Sequence, residues 1–436
     1  MKSFHIITFG CQMNEHDSER MAGILEGQEY VQTNDAATAD VIILNTCSIR
    51  EKAEQKFYSE LGRLRSLKLE RPDLTIAVAG CIAQQEGKNI LSRAPYVDMI
   101  FGPSDVASVS ELPRLANTWT NPLIKINGDP DYHRKQIPAL RTDRLKAWVS
   151  IMYGCNNFCT YCIVPYLRGR ERSRPPEDVV SEVRELAKQG YKEVTLLGQN
   201  VNSYGKGRRG SIDFPGLLAM VNDIPGIERI RFVTSHPRDL SAELIVALRD
   251  LPKVCESLHL PVQSGADPIL AAMNRKYTSA GYLDRIQRLR AAVPLIALTS
   301  DIIVGFPGET EQDFSMTLQM LREVEYDGVF AFKYSKRPGT AALNLSDHVS
   351  DDVKETRLAQ VLDLQKEISR RKNAAAVGKT FEVLVDGHSR KGGKLTGRTR
   401  GNKAVNFDGL DSLIGTLVMV GITDAGDNSL SGELCA

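Results

Sequence analysis

Three thiols, Cys155, Cys159 and Cys162, stand in a C-x3-C-x2-C run inside YGCNNFCTYCIVPYLRGRERSRP, with Tyr161 directly before the last cysteine. Thiols this close in one loop are read as metal ligands, because thiolates are soft donors that can wrap a centre together. The loop supplies three of the four thiolates that a closed tetrahedral zinc or an ordinary iron–sulfur site uses. A zinc knuckle would have to borrow a fourth ligand from elsewhere, and zinc sites of this kind usually come as two C-x2-C arms. A [4Fe–4S] cluster on three cysteines would leave one iron open to a small molecule. Four arginines follow the loop, at Arg168, Arg170, Arg172 and Arg174.

A second set of thiols is dispersed. Cys11, Cys47 and Cys81 each follow a short apolar run, at 4–9, 41–44 and 75–79, and each run leads into a helix-like segment, at 18–28, 49–69 and 83–93. Short continuous apolar strands alternating with helices read as parallel βα units buried on both faces. The carboxyl ends of such strands share one edge, where ligands bind, so all three cysteines fall on that edge. One cysteine after a strand is ordinarily a small buried hydrophobe. Three at equivalent points of successive units point to a second cluster, again with one iron open. Asn14, Asn45, Ser48 and Arg50 lie beside these thiols, either to tune a cluster by hydrogen bonding or to form turns and caps. Residues 117–140, with Pro122, Pro130 and Pro138, read as a linker that closes a domain over 1–140.

The C-x3-C-x2-C loop belongs to a second strand–helix series, with strands at 148–152, 193–197, 229–233, 257–260, 297–304 and 329–334 and helices such as 177–189, 242–251 and 311–324. Six βα units make a partial barrel over 141–372, with its site at the carboxyl ends of the strands. There lie LLGQN (196–200), TSHP (234–237), LPVQSG (260–265), VGFPGET (304–310) and YSKRPGT (334–340). Each alone is turn chemistry. Together they frame a mouth in which Gly198 and Gly305 allow close backbone approach and Gln199, Asn200, Ser235, Gln263 and Ser264 offer hydrogen bonds. His236 and His259 are either proton carriers or structural histidines, and Cys255 is read as a core thiol.

Residues 373–436 hold five β-like runs, at 381–385, 395–399, 404–407, 416–420 and 429–434, as in a small antiparallel barrel. From His388 to Lys403 the chain carries Arg390, Lys391, Lys394, Arg398, Arg400 and Lys403 and no acid. Such a run is a solvated face or, with Asn402, Asn406 and Phe407 beside it, a grip for an RNA backbone. Cys435 is penultimate and is left outside both clusters.

The 436 residues have a formal net charge of +1, which excludes a globally basic nucleic-acid binder and makes any RNA contact local. No run approaches the roughly twenty apolar residues of a membrane span. MKSFHIITFG reads as a first strand rather than a signal peptide, and eight cysteines without such a peptide point to a reducing cytoplasm and metal ligation.

The cysteine loop with Tyr161 resembles the radical S-adenosylmethionine (SAM) superfamily. The whole chain resembles the radical-SAM methylthiotransferases: an α/β domain with three cysteines, a C-x3-C-x2-C barrel and a C-terminal TRAM domain. CQMN (11–14), NTCSIREKAE (45–54), SHPRD (235–239), LHLPVQSG (258–265), MNRKYT (273–278) and GRTRGNKAVNF (397–407) resemble the bacterial tRNA branch. Glu309 ends its segment one residue later than the superfamily's glycine-x-isoleucine-x-glycine-x-x-glutamate pattern. Lys336 stands where a proline is common, and Ala266 where a serine is. The resemblance implies two [4Fe–4S] clusters, one on Cys155, Cys159 and Cys162 and one on Cys11, Cys47 and Cys81. One SAM methylates a sulfur on the latter. Another, chelated by the open iron of the former and cleaved by an injected electron, yields the 5′-deoxyadenosyl radical that activates carbon 2 of N6-isopentenyladenosine beside the anticodon. It further implies SAM contacts from Tyr161 and the residues of the mouth. Arg168, Arg170, Arg390, Lys394, Arg398 and Arg400 would grip phosphates of a tRNA anticodon stem-loop, and the electron would come from a donor such as a flavodoxin or ferredoxin. No catalytic side chain beyond the cluster ligands is implied. Rival readings are a sister enzyme acting on threonylcarbamoyladenosine or a ribosomal-protein aspartate, and a zinc-stabilised RNA-binding protein without chemistry.

Overall fold

The structure is a computed structural model that describes residues 2–47, 51–115, 121–129, 131–132, 137–207, 210–390 and 392–435. Its first part is a sheet of β1 (Ser3–Phe9), β2 (Val31–Gln32), β3 (Val41–Thr46), β4 (Thr75–Gly80), β5 (Met99–Phe101) and β6 (Leu123–Lys125), in the order β2-β1-β3-β4-β5-β6. Every neighbouring pair is parallel. β3 and β4 are buried at each residue, as uninterrupted apolar runs must be when helices cover both faces. Helices α1 (Gln12–Glu26), α2 (Glu51–Glu70) and α3 (Cys81–Glu86) leave the strand ends that carry the cysteines. The stretch read as a linker is docked instead. It contributes β6, and Ile137 and Leu140 pack on the core around α1. A three-residue edge strand is too short to show a period, which is why its sequence resembles a loop. Ser48 and Arg50 lie outside the described residues.

The middle part holds β7 (Lys146–Ser150), β8 (Met152–Tyr153), β9 (Arg172–Ser173), β10 (Glu193–Leu197), β11 (Arg229–Phe232), β12 (Ser257–His259), β13 (Ala297–Val304) and β14 (Gly328–Lys333). Two parallel triplets, β7-β10-β11 and β12-β13-β14, meet through one bridge between Ile230 and Val254. They form the six-stranded arc of a partial barrel. The antiparallel ribbon of β8 and β9 brackets the cysteine loop, pairing Met152 with Ser173 and Tyr153 with Arg172. Along the arc Val149, Val194, Ile230, Leu298 and Ile302 join the large core that includes Val179 and Val183 of helix Pro176–Lys188. Trp148, Leu197 and Val233 instead join the N-terminal core with Met13 and Met21 of α1. Strand side chains alternate between faces, so the first half of the arc is covered on its inner face by the N-terminal domain.

The helix Asp351–Ala374 leads to a closed barrel of β15 (Thr380–His388), β16 (Leu395–Thr399), β17 (Ala404–Phe407), β18 (Leu417–Ala425) and β19 (Ser429–Leu434), in the order β15-β16-β17-β19-β18. The expectation of an antiparallel barrel needs one correction: β17 and β19 run parallel. A closed ring with an odd number of strands cannot alternate direction all the way round.

Candidate metal centres

Cys11 is the N-cap of α1, Cys47 follows β3 and Cys81 opens α3, so the three thiols share the carboxyl edge of the first sheet. The side chains of Asn14 and Asn45 brace that edge. Asn14 Nδ2 donates to Asn45 Oδ1 at 3.3 Å, Asn45 Nδ2 donates to the Asn14 carbonyl at 2.8 Å, and the Cys11 amide donates to Asn14 Oδ1 at 3.4 Å. Gly80 has φ 88 and ψ −157, a region nearly closed to residues with a Cβ, and a Cβ there would meet Asn45 Oδ1 and the Thr46 carbonyl. A hydrogen bond from Cys47 holds the Cys11 thiol down at about 6, with help from the Arg168 charge and against burial. Burial pushes the Cys81 thiol up, against the pull of Arg168.

The second trio lies where β8 leads into its loop. Cys155 and Cys159 are buried and Cys162 is half-buried. The loop is pinned from behind: Thr160 Oγ1 donates to the Ala272 carbonyl at 2.8 Å and Asn274 Nδ2 donates to the Phe158 carbonyl at 2.9 Å. Burial pushes the thiols of Cys155 and Cys162 up to about 11 and about 12. Arg275, 4% exposed, donates to Cys159 Sγ at 3.3 Å, to Tyr161 Oη at 3.4 Å and to the Pro261 carbonyl at 2.8 Å. Among the described residues no carboxylate pairs with it. A buried guanidinium without a counter-ion is costly, and an anionic cluster on these thiolates would supply one. Among the described residues no three such side chains converge on a single ion, and a cubane does not ask them to, because each thiolate binds a different iron. The donor sets therefore fit two anionic clusters.

The N-terminal trio meets the barrel's cysteine loop at the domain boundary through Cys81. Cys81 packs on Ile163 and Leu167 of the barrel loop. Arg168, caught between the domains and only 8% exposed, pairs its Nη2 with Asp17 Oδ2 of α1 at 3.0 Å, and its charge draws the Cys81 thiol down. The expectation that Arg168 grips phosphate is thus corrected, because a guanidinium so enclosed has no face for RNA. More ion pairs close the boundary. Arg141 pairs with Glu19 across it at 3.3 Å and with Glu182 on its own side at 2.8 Å, where Arg174 also meets Glu182 at 2.7 Å, and Arg337 pairs with Glu54 across it at 3.5 Å. Buried Arg20 donates to the hydroxyls of Tyr132 and Tyr153.

At the strand ends the expected ligand contacts divide. Asn200 Oδ1, Ser235 Oγ and Gln263 Oε1 are buried with no hydrogen-bond partner among the described residues. They follow β10, β11 and β12, and orphaned acceptors in such a row suit a ligand bearing donors. Thr234 and Gln263 beside them hold φ 68 and 70, strained for residues with side chains. The other four are committed within the chain. A Cβ at Gly198 would meet Met152 and one at Gly305 would meet Lys354, so both glycines admit neighbouring side chains rather than a ligand. Gln199 Oε1 accepts from the Gly154 amide at 3.1 Å, which fixes the entry to the cysteine loop. Ser264 Oγ lies 3.3 Å from Thr317 Oγ1 and accepts from the Ala266 amide at 3.2 Å. Glu309 accepts from the Gly305 amide at 2.6 Å and from Arg357 at 2.7 Å. His236 accepts from the Arg238 amide at 3.2 Å, and burial holds its imidazole far below its usual range, so it caps a turn as a neutral ring. His259 Nδ1 lies 3.0 Å from Thr299 Oγ1.

The C-terminal basic run also divides. Arg400 makes two contacts with Glu256, at 2.7 and 2.9 Å, and donates to the Val254 carbonyl, while Arg231 donates to the Arg400 and Thr399 carbonyls. Arg400 therefore holds the small barrel on the large one, a correction to its reading as a phosphate grip. Arg390, Lys394 and Arg398 are exposed, as is Arg170, whose guanidinium lies 4.4 Å from the Phe158 ring centroid. Lys391 falls outside the described residues.

The arc of strands, the cysteine loop at its mouth and the appended small barrel define a radical-SAM protein with a TRAM domain. Family models agree, matching UPF0004 over residues 3–102, the Radical SAM superfamily over 149–321 and the TRAM domain over 374–435. Among solved structures, the radical SAM methyltransferase TsrM from Kitasatospora setae shares the fold, with a TM-score of 0.56 at 14% identity over 79% of this chain and 77% of that one. Two curated relatives, from Thermoanaerobacter sp. (strain X514) and Thermodesulfovibrio yellowstonii, are 51% and 50% identical over 99% of this chain and cover 92% and 99% of their own lengths. Both carry the name tRNA-2-methylthio-N(6)-dimethylallyladenosine synthase, and the chain belongs to that family. Sequence reading missed Asp17 and assigned no role to Arg275. The signal for Arg275 was present, since it lies in the MNRKYT motif.

Proposed function

We propose that the protein places a methylthio group on carbon 2 of N6-dimethylallyladenosine (isopentenyladenosine) in tRNA, at the position beside the anticodon. The observation that carries this reading is the docking of Cys81, from the N-terminal trio, on Ile163 and Leu167 of the barrel's cysteine loop, with Arg168 reaching across to Asp17. Cys155, Cys159 and Cys162 would hold one [4Fe–4S] cluster and Cys11, Cys47 and Cys81 the other; when bound, they supply the one-electron cleavage of SAM and the sulfur to be transferred. Arg275 places positive charge on the first site, Gln199 fixes the entry of its loop, and Asn200, Ser235 and Gln263 present acceptors to SAM. The N-terminal domain seals the inner face of β7 and β10 and keeps water from the reacting centre. The target base has to leave its stack to enter. Exposed Arg170, Arg390, Lys394 and Arg398 meet phosphates of the anticodon stem-loop, and a flavodoxin or ferredoxin in a reducing cytoplasm delivers the electron. Among the described residues no helix is long and apolar enough to cross a membrane. The domains divide at 1–140, 141–372 and 373–436.

Anaerobic turnover of an isopentenylated anticodon stem-loop with SAM and a reductant tests the proposal. Mass spectrometry is expected to show the 2-methylthio product, and Cys81→Ala to abolish it while reductive SAM cleavage persists. Product only on threonylcarbamoyladenosine, or a zinc-bound protein that never cleaves SAM, would overturn it.

A further inference from the structure

Arg168 leaves the barrel at the C-cap of the helix Val164–Leu167, yet its guanidinium ends among residues of the other domain. Three observations fix its place. Its side chain is 6% exposed and that of Asp17, its partner at 3.0 Å, is 1% exposed. The Tyr132 hydroxyl donates to the other Asp17 oxygen at 3.5 Å, so the carboxylate is held from two sides. Cys81, whose thiol lies within the field of the Arg168 charge, is itself packed on Ile163 and Leu167 beside the arginine. A planar guanidinium can serve a carboxylate and a thiolate at once, which a lysine ammonium on its flexible stem does less well. We propose that Arg168 is a positioning residue for the N-terminal cluster. It reaches from the barrel loop to fix Cys81 and to favour the cluster's reduced state, and Asp17 sets how much of its charge the cluster feels. The proposal rests on the reading that Cys11, Cys47 and Cys81 hold a cluster.

The charges make opposite demands. A buried cation near a cluster stabilises the form that carries one more electron, and a buried anion opposes it, with little solvent to screen either. A purely structural strut would not tell the two signs apart. The test uses the full chain with Cys155, Cys159 and Cys162 changed to alanine, so that iron loads only at the N-terminal site. After anaerobic reconstitution with ferrous iron and sulfide, the one-electron midpoint is titrated with chemical reductant and followed by electron paramagnetic resonance. Arg168→Gln is expected to move the midpoint to more negative potential, Asp17→Asn to less negative potential, and Arg168→Lys to leave it near the parent's. Shifts of the same sign, or no shift in either variant, overturn the proposal. Should Arg168→Gln fail to hold iron, Asp17→Asn decides alone: a less negative midpoint supports the assignment, and an unchanged or more negative one refutes it. A parent that takes up no iron refutes the cluster reading itself, and the proposal falls with it.

Discussion

At the residue scale, the two arginines buried beside thiols explain how largely enclosed cysteine sites accept a polyanionic centre. Burial pushes the Cys155 and Cys162 thiols up to about 11 and 12, so loading a cluster must displace protons there against the local medium. Arg275 offsets part of that penalty through its contact with Cys159 at 3.3 Å. Loss of a group that orients a metal ligand commonly costs about 10- to 100-fold in metal affinity. Arg275→Met is accordingly expected to weaken iron retention at the barrel site by about that factor, with reductive SAM cleavage falling alongside. Arg275→Lys keeps the charge but cannot reach Cys159, Tyr161 and Pro261 together, so it should recover only part. Competition against an iron chelator measures the effect, and wild-type retention in the methionine variant would refute the role. Neither arginine's task was legible in the sequence. Arg275 meets Cys159 across 116 positions and Arg168 meets Asp17 across 151, and no local spacing announces such a contact.

At the scale of elements, the sequence spoke clearly wherever a strand was long. β10 and β13 fall at the bounds the sequence predicts: β10 is buried at every residue, and β13 is long enough, at eight residues, for its alternation of buried and half-buried positions to show. The two-residue strands β8 and β9 and the edge strand β6 left no such record. Conformational strain at the strand ends was equally silent, since Thr234 and Gln263 have ordinary side chains in a left-handed backbone. Glycine was the exception, and Gly80 is the sharpest case. Its backbone conformation is nearly exclusive to glycine, and the space a Cβ would need is held by Asn45 and Thr46. Gly80→Ala is expected to cost on the order of 2 kcal/mol and to lower both the melting temperature and the iron held by the N-terminal trio. Gly62→Ala, in α2 with nothing within 4 Å of a new Cβ, should instead stabilise by roughly 0.5–1 kcal/mol. Thermal melts that moved the same way for both variants would show that the tight turn before Cys81 is not what Gly80 provides.

At the scale of the whole molecule, cations do two separate jobs, and the net charge of +1 conceals both. One group is buried and mechanical: Arg20, Arg141 and Arg168 lock the first domain to the barrel, while Arg229, Arg231 and Arg400 lock the barrel to the last. The other is exposed to solvent, including Arg390, Lys394 and Arg398 along the closing barrel; the pair of Lys394 with Asp408 at 3.4 Å is itself exposed and weak enough to yield to a phosphate. Sequence reading joined Arg400 to this second group because the basic run is continuous, whereas Arg400 lies just past the end of β16 and is held by the carboxylate of Glu256. Binding of a stem-loop distinguishes the two jobs. Each phosphate contact releases counter-ions and adds about 0.7–0.9 to the slope of log affinity against log salt. Changing Arg390, Lys394 and Arg398 to alanine together is expected to flatten that slope by about 2 to 3 and to weaken binding most at low salt, with the melting temperature unchanged. Arg400→Ala should do the reverse, lowering the melting temperature through its lost pair with Glu256 while leaving the slope where it was. Filter binding across a salt series, beside calorimetry of the free protein, reads both quantities. A flattened slope in Arg400→Ala with no loss of stability would mean that this arginine leaves Glu256 for the phosphate backbone, and the division of labour drawn from its contacts would be wrong.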